Sequence, residues 1–252
     1  QGLELIIHAN PEATVWLSNP TWANHPSIIN YLGMKSGTYR YFDPATRAVD
    51  FGGMLEDLEK VQRGDVVLLH GCCHNPTGAN LKPSEFQAVI DVINRVGAIP
   101  FVDIAYQGFG DGLEDDGALT RLVAASCPEV LIAASCSKNF GIYRERTGII
   151  MTVSETAEHA KVAQGTLNFL NRQNFSFPPD HGARLVTMIL NDADLKADWM
   201  AELESVRLGM LDIRKDLAAA LQTATGSDQF GFLADHRGMF SRLGLSEDIV
   251  LK

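Results

Sequence analysis

Three short runs, Asp65–His70, Ala98–Asp103 and Glu129–Ala134, are almost wholly apolar and are separated by segments with helical periodicity. A strand with one face in water alternates apolar and polar residues. A continuous apolar run is what a parallel strand covered on both faces requires. Between the first two runs, Pro83–Val96 opens on proline, carries Ser84 and Glu85 in its first turn and is followed by Gly97, which are helix start and stop signals. Around this nucleus the pattern predicts strands over Thr14–Leu17, Thr38–Phe42 and Gly148–Val153. It predicts helices over Pro26–Leu32, Met54–Val61, Leu119–Ala125 and Thr156–Leu170. Strands alternating with helices imply an α/β fold on a mostly parallel sheet.

The last quarter differs. Leu195–Leu221 reads as one long helix with an apolar stripe of Leu203, Val206, Met210, Ile213, Leu217 and Leu221. A helix of that length commonly joins two domains. After Gly226 come strand-like pieces, Gln229–Leu233 and Gly238–Ser241, and then a helix start at Ser246–Asp248. The expected division is a large domain over residues 1–192, and a connecting helix with part of a smaller α/β unit over residues 193–252. The unit broken off at Lys252 indicates a piece of something longer.

Charge excludes one class of partner. With 31 acidic against 21 basic residues the net charge is −10, which argues against a nucleic-acid surface, although a few local cations suffice for a small anion. Cys72, Cys73, Cys127 and Cys136 are too few in 252 residues for a disulfide framework, so a reducing cytoplasm is expected. Gln1–His8 lacks the pattern of a signal peptide, and no apolar run approaches the roughly 20 residues that span a bilayer. No membrane association is expected.

In an open α/β sheet a ligand sits beyond the carboxyl ends of the strands. The first apolar run ends in His70-Gly-Cys-Cys-His-Asn75-Pro-Thr-Gly78, the second in Asp103-Ile-Ala-Tyr106-Gln-Gly108, the third in Ser135-Cys-Ser-Lys138. Each has an ordinary explanation: Asp103 as a helix cap, Tyr106 as core, Asn-Pro-Thr-Gly as a β-turn, Lys138 as a loop lysine. All of them at three successive strand ends instead describe a carboxylate, a phenol, an amide and an amine converging on one crevice. A lone lysine at the end of a core strand shifts its pKa readily and suits Schiff-base chemistry. His70, Cys72, Cys73 and His74 resemble metal ligands in type. Adjacent cysteines depart from the usual spaced pattern, however, so core packing is expected and no metal.

Four motifs carry a family resemblance: Asn19-Pro-Thr-Trp22-x-Asn-His25, His74-Asn75-Pro-Thr-Gly, Asp103-x-Ala-Tyr106-Gln-Gly and Ser135-x-Ser-Lys138-Asn-Phe-Gly-x-Tyr-x-Glu-Arg146. In this order they resemble the class I aminotransferases of the aspartate and aromatic amino acid group, fold-type I enzymes using pyridoxal phosphate. The resemblance runs from about Thr14 to Leu245. It implies that Lys138 forms the Schiff base and carries the proton between substrate Cα and the cofactor. Asp103 would pair with the pyridine nitrogen, and Tyr106 and Asn75 would bond the ring hydroxyl oxygen. Arg146, Ser135 and Ser137 would bind the phosphate, Trp22 would stack on the ring, and His25 would support Asp103. Trp22 and Asn75 would also meet substrate. Arg172 would reach a neighbouring subunit's site and take a substrate carboxylate, which makes a homodimer with shared active sites the expected assembly. The implied reaction is transamination of acidic or aromatic L-amino acids with 2-oxoglutarate.

Three expected parts are missing: a Ser-Gly-Thr phosphate loop, the tyrosine lent across the dimer to the phosphate, and the arginine that clamps the substrate α-carboxylate. The chain is thus expected to cover about three-fifths of such an enzyme. A chain that folds and dimerises without turnover stays open as the alternative. Phe177, where aspartate-type members commonly have Asn, mildly favours aromatic substrates.

Overall fold

The structure, a computed structural model, describes residues 1–245 and residue 248. Its elements run α1 (Gly2–Ala9), β1 (Thr14–Asn19), α2 (Asn24–Tyr31), β2 (Lys35–Arg40), β3 (Phe42–Asp43), β4 (Ala48–Val49) and α3 (Phe51–Leu58). There follow β5 (Val66–His70), α4 (Pro83–Val96), β6 (Ile99–Ile104), α5 (Ala118–Ser126), β7 (Val130–Ser135) and β8 (Gly148–Val153). The chain continues through α6 (Ala157–Asn174), α7 (His181–Asn191), α8 (Ala193–Thr225) and α9 (Phe232–Asp235). Six strands form one sheet in the order β2-β1-β5-β6-β7-β8, parallel throughout except for the antiparallel β7–β8 pair.

The three apolar runs are its centre. Val66, Val67, Leu68 and Leu69 are all buried, as are Phe101, Val102 and Leu131. One apolar cluster, with Met54, Ile90 and Val123, covers one face, and another, with Leu3, Ile29 and Leu170, covers the other. Burying such side chains contributes about 2 kcal/mol each. Helix ends follow local chemistry. The Lys82 backbone N–H donates to Glu85 at 2.7 Å at the start of α4, and Gly97 closes it at φ 73°. Asp192 accepts from the N–H groups of Asp194 and Leu195 at 3.0 Å to start α8.

Several expectations need correction. The strand expected over Thr38–Phe42 begins earlier, at Lys35, and ends at Arg40; Phe42–Asp43 pairs separately with Ala48–Val49. Helices α1 and α7 are not anticipated from the sequence; Leu3, Leu5 and Ile6 of α1 are buried, and α7 packs on α8. Gln229–Leu233 and Gly238–Ser241 are not strands. The first becomes a turn leading into α9, and in the second the carbonyls of Gly238 and Phe240 accept from the Arg214 guanidinium instead of a neighbouring strand. The expected stripe of α8 holds only in part: Leu203 is buried and Met210 and Leu221 pack partly buried on the apolar clusters, whereas Val206, Ile213 and Leu217 are exposed, and Arg214 and Ala218 are buried. α8 is apolar over more than one face, so periodicity selected only part of the side that packs. The helix start expected at Ser246–Asp248 lies outside the described residues, apart from Asp248.

Candidate active site

Neighbouring parallel strands deliver their ends to one place. Register pairs His70 with Asp103 across β5 and β6, and Asp103 with Ala133 across β6 and β7. The loop after β1, the strand beside β5, brings Trp22 and His25 to the same edge. A cavity of about 200 Å³ opens there, lined by Trp22, Asn75, Asp103, Tyr106, Lys138 and Arg146, together with Ser135, Ser137, His70 and Cys72.

Each polar group is held from behind. Asp103 Oδ2 lies 2.9 Å from His25 Nε2. The Thr21 hydroxyl joins His25 Nδ1 at 2.9 Å to His70 Nε2 at 3.1 Å. Burial drives the His70 imidazole down to about 3, with the His25 charge adding to the effect and Asp103 opposing it. His74 is held well below the ordinary imidazole range, first by burial; it meets Ser18 at 3.0 Å and Thr77 at 2.8 Å. The Thr21 link and this extension are the part of the site that sequence reading missed. Single threonines and serines beside prolines carry no signal of their own.

Lys138 lies in a tight turn, where the Gly141 N–H donates to its carbonyl at 3.0 Å and Gly141 takes φ 66°. Its Nζ sits 4.9 Å from the centre of the Tyr106 ring. Burial, and then the charge of Arg146, hold this amine below the ordinary lysine range, with Asp103 opposing. That favours the neutral, nucleophilic form. Burial pushes the Tyr106 phenol up, and a hydrogen bond with Asn75 works against it. Arg146 Nη1 faces the Ser137 hydroxyl at 3.5 Å, and the Ser137 N–H donates to Ser135 Oγ at 3.2 Å. A guanidinium beside two hydroxyls suits a phosphate group.

Of the residues singled out in the sequence, eight line this cavity and His25 stands directly behind Asp103. Arg172 does not line it; it lies at the end of α6, bonded to Ser176 and 5.8 Å from the Phe177 ring centre. Cys72, Cys73 and Asp116 come within 4.8 Å of one another. The Asp116 carboxylate is already committed to the N–H groups of Gly108, Gly110 and Asp111 at 2.8 to 2.9 Å. Cys72 is pushed well above the ordinary thiol range, by its hydrogen bond with Cys73 and then by burial. The cluster is therefore poor in charged, free ligand atoms.

The family model described as aminotransferase class I and II matches residues 1–251. The chain belongs to this family. Among its relatives, the aromatic-amino-acid aminotransferase of Paracoccus denitrificans is 58% identical over 250 residues, covering 99% of this chain and 64% of that protein. The aspartate aminotransferase of Pseudomonas aeruginosa is 39% identical over 249 residues, covering 99% of this chain and 63% of that protein. A solved aromatic-amino-acid aminotransferase from Burkholderia pseudomallei, covalently bound to pyridoxal phosphate, superposes with a TM-score of 0.95 at 37% identity, over 97% of this chain and 61% of that one. This aminotransferase-family chain thus spans less than two thirds of the length of these relatives, and its mostly parallel sheet flanked by helices is the fold-type I architecture. No helix among the described residues is long and apolar enough to cross a membrane.

Proposed function

We propose that this chain is the pyridoxal-phosphate-binding part of an aminotransferase acting on acidic or aromatic L-amino acids, with 2-oxoglutarate as amino acceptor. The observation that carries the reading is the convergence of Lys138, Asp103 and Arg146 on one cavity with Asn75 and Tyr106 between them. The donor set fits the cofactor part by part: an amine for the aldehyde, a carboxylate for the pyridine nitrogen, a phenol and an amide for the ring oxygen, and a guanidinium with two hydroxyls for the phosphate. When bound, pyridoxal phosphate supplies an electrophilic carbon for amines and a ring that accepts the electrons of the substrate Cα–H bond.

The chain's own residues do the rest. Lys138, whose amine burial holds below the ordinary lysine range, binds through its Nζ and then serves as proton carrier at that atom. Asp103, oriented by His25, keeps a partner nitrogen protonated. Tyr106 and Asn75 orient the ring, Trp22 covers its face and shields it from water, and Ser135, Ser137 and Arg146 anchor the phosphate. Arg172 lies outside its own cavity, which accords with a role toward the carboxylate of a substrate bound by a second copy in a homodimer. The same reading divides the chain into a cofactor-binding domain over 1–192 and a connecting helix with part of a second unit over 193–252. The separate apolar cluster of Ala218, Phe230 and Leu233 supports that division.

The test is Lys138→Ala in the full polypeptide. The variant should lose both the absorption band of lysine-linked cofactor and amino transfer from aspartate or phenylalanine to 2-oxoglutarate, the latter by about 10³-fold or more. Transfer at the wild-type rate in that variant would overturn the reading. Comparing aspartate with phenylalanine and tyrosine as amino donors then fixes the substrate class.

A further inference from the structure

Helix α8 contacts, at two places, segments that pack beside the candidate site. Near its start Trp199 donates its indole N–H to the Asn139 carbonyl at 2.7 Å and stacks on Phe140, with ring centres 4.4 Å apart. That contact bears on the turn that carries Lys138. Farther along, about 22 Å up the helix axis, Arg214 is buried. Its guanidinium donates to the Gly238 carbonyl at 3.0 and 2.6 Å, to the Phe240 carbonyl at 2.5 Å, to the Leu233 carbonyl at 3.4 Å and to the Ser241 hydroxyl at 2.6 Å.

All of these acceptors are neutral. Burial, and then the charge of nearby Arg237, hold the guanidinium below the ordinary arginine range. Burying a cation among uncharged groups is costly, and an apolar side chain would fill the space more cheaply. What an apolar side chain cannot do is gather several carbonyls into one plane, which the five donors of a guanidinium do.

The gathered segment does not line the cavity; it packs against the loop and the aromatic ring that do. A Cβ on Gly238 would come within 2.5 Å of Cys73 Cβ, and one on Gly78 within 2.4 Å of the Phe240 carbonyl oxygen. The Arg237 N–H donates to the Gly78 carbonyl at 2.9 Å. Backbone is therefore packed on backbone against the loop that carries Asn75. The Phe240 ring meets Tyr106 edge to face, with centres 5.8 Å apart at 85°, and Lys138 Nζ stands 4.9 Å from the same Tyr106 ring. Arg214, Phe240, Tyr106 and Lys138 make one line of contact.

We propose that Arg214 is a positioning residue for the cofactor site: by gathering the Gly238 and Phe240 carbonyls it holds the Phe240 ring against Tyr106 and fixes the phenol beside Lys138. With Trp199 stacked on Phe140 behind the Lys138 turn, α8 as one rigid helix supports two elements that back the cavity. The inference rests on the aminotransferase reading above. The rival is that Arg214 only fastens α8 to α9, and that role would move stability alone.

The experiment uses the full polypeptide as wild type, Arg214→Lys, Phe240→Leu and the double variant. It reads the pH midpoint of the lysine-linked cofactor band, kcat and KM, and the thermal midpoint of cofactor-free protein. Lysine keeps the charge and loses the planar fork. Arg214→Lys should move the band midpoint by about half a pH unit or more and lower kcat about tenfold, with KM changed less than about threefold. Phe240→Leu should shift both in the same direction, and the double variant should be no worse than Arg214→Lys, because the two act through one contact. A lower thermal midpoint with band and kcat as in wild type overturns the proposal, as do fully additive effects in the double variant. If Arg214→Lys does not fold, Phe240→Leu and Ser241→Ala carry the test, and an unmoved band midpoint in both overturns it. A wild-type protein without the band overturns the aminotransferase reading and this proposal together. A wild-type band that Arg214→Lys leaves in place overturns this proposal alone.

Discussion

The two edges of the same sheet make opposite use of the same strands. At the carboxyl edge of β5, β6 and β7 a cavity of about 200 Å³ gathers Asp103, Tyr106, Lys138 and Arg146. At the other edge a larger cavity, about 460 Å³, is lined chiefly by apolar groups such as Leu5, Val66, Ile99, Val130 and Val162. Size therefore does not mark the reactive end. In parallel strands, carboxyl ends open into loops whose side chains are free to turn toward a shared crevice. The starts of those strands are instead covered by α1 and α6. The comparison predicts that replacing the charged side chains that line the first cavity changes chemistry at little cost in stability at neutral pH, and that replacing apolar side chains at the second does the reverse.

The strongest way to break it is Asp103→Asn, a near-isosteric change that keeps a hydrogen-bonding group beside His25. Amino transfer should fall about 10²-fold or more while the thermal midpoint stays within a few degrees of wild type; a collapse in stability with activity intact would contradict the division. Acid sensitivity comes next. His70 and His74 are neutral in the native state, His70 down to about pH 3, whereas in the unfolded chain each gains its proton near 6.5. Both folded pKa values are depressed, so the stabilising contribution is present above about pH 6.5 and is lost as pH falls toward 3. Between those limits the unfolded chain binds more protons. His70→Asn should accordingly flatten the stability curve there by about 1.4 kcal/mol per pH unit, measured by denaturant unfolding at a series of pH values.

A pair of glycines sharpens the contrast within one residue type. Gly78 (φ 73°) faces the Phe240 carbonyl, while Gly226 (φ 65°) ends α8 with nothing within 4 Å of a Cβ. Alanine at Gly226 should cost about 1 kcal/mol from backbone conformation alone, and at Gly78 about 2 to 4 kcal/mol because the Phe240 backbone packed against it must also shift. Equal losses in thermal denaturation would remove the tight packing assigned to that contact. Smallest in chemical consequence is Val130→Ala at the far edge. It should cost about 1 to 3 kcal/mol of stability and leave the absorption band of bound cofactor where it was.

Much of this was legible before any coordinates. The apolar runs Val66–Leu69, Phe101–Val102 and Val130–Ile132 specify strands buried on both faces, because burial on two sides admits no alternation. Once those runs are parallel neighbours, Asp103, Asn75 and Lys138 must fall at one edge, since every parallel strand ends on the same side. What the sequence left open lay where several arrangements satisfy the same local rules. α8 has apolar residues on more than one face, and only packing chose Leu203 and Ala218 over Val206 and Ile213. Gly238–Ser241 has strand-like composition, yet its carbonyls found a guanidinium 24 residues away along the chain, as between Arg214 and Gly238, before they found a strand. The polar relay through Thr21 joins side chains 49 residues apart to make a single hydrogen bond to His70. Local sequence determined which segments become strands and which end they expose, because those choices depend on burial and near neighbours. Tertiary structure decided which groups stand behind the reactive ones, because hydrogen bonds between distant residues depend on where the whole chain has already placed them.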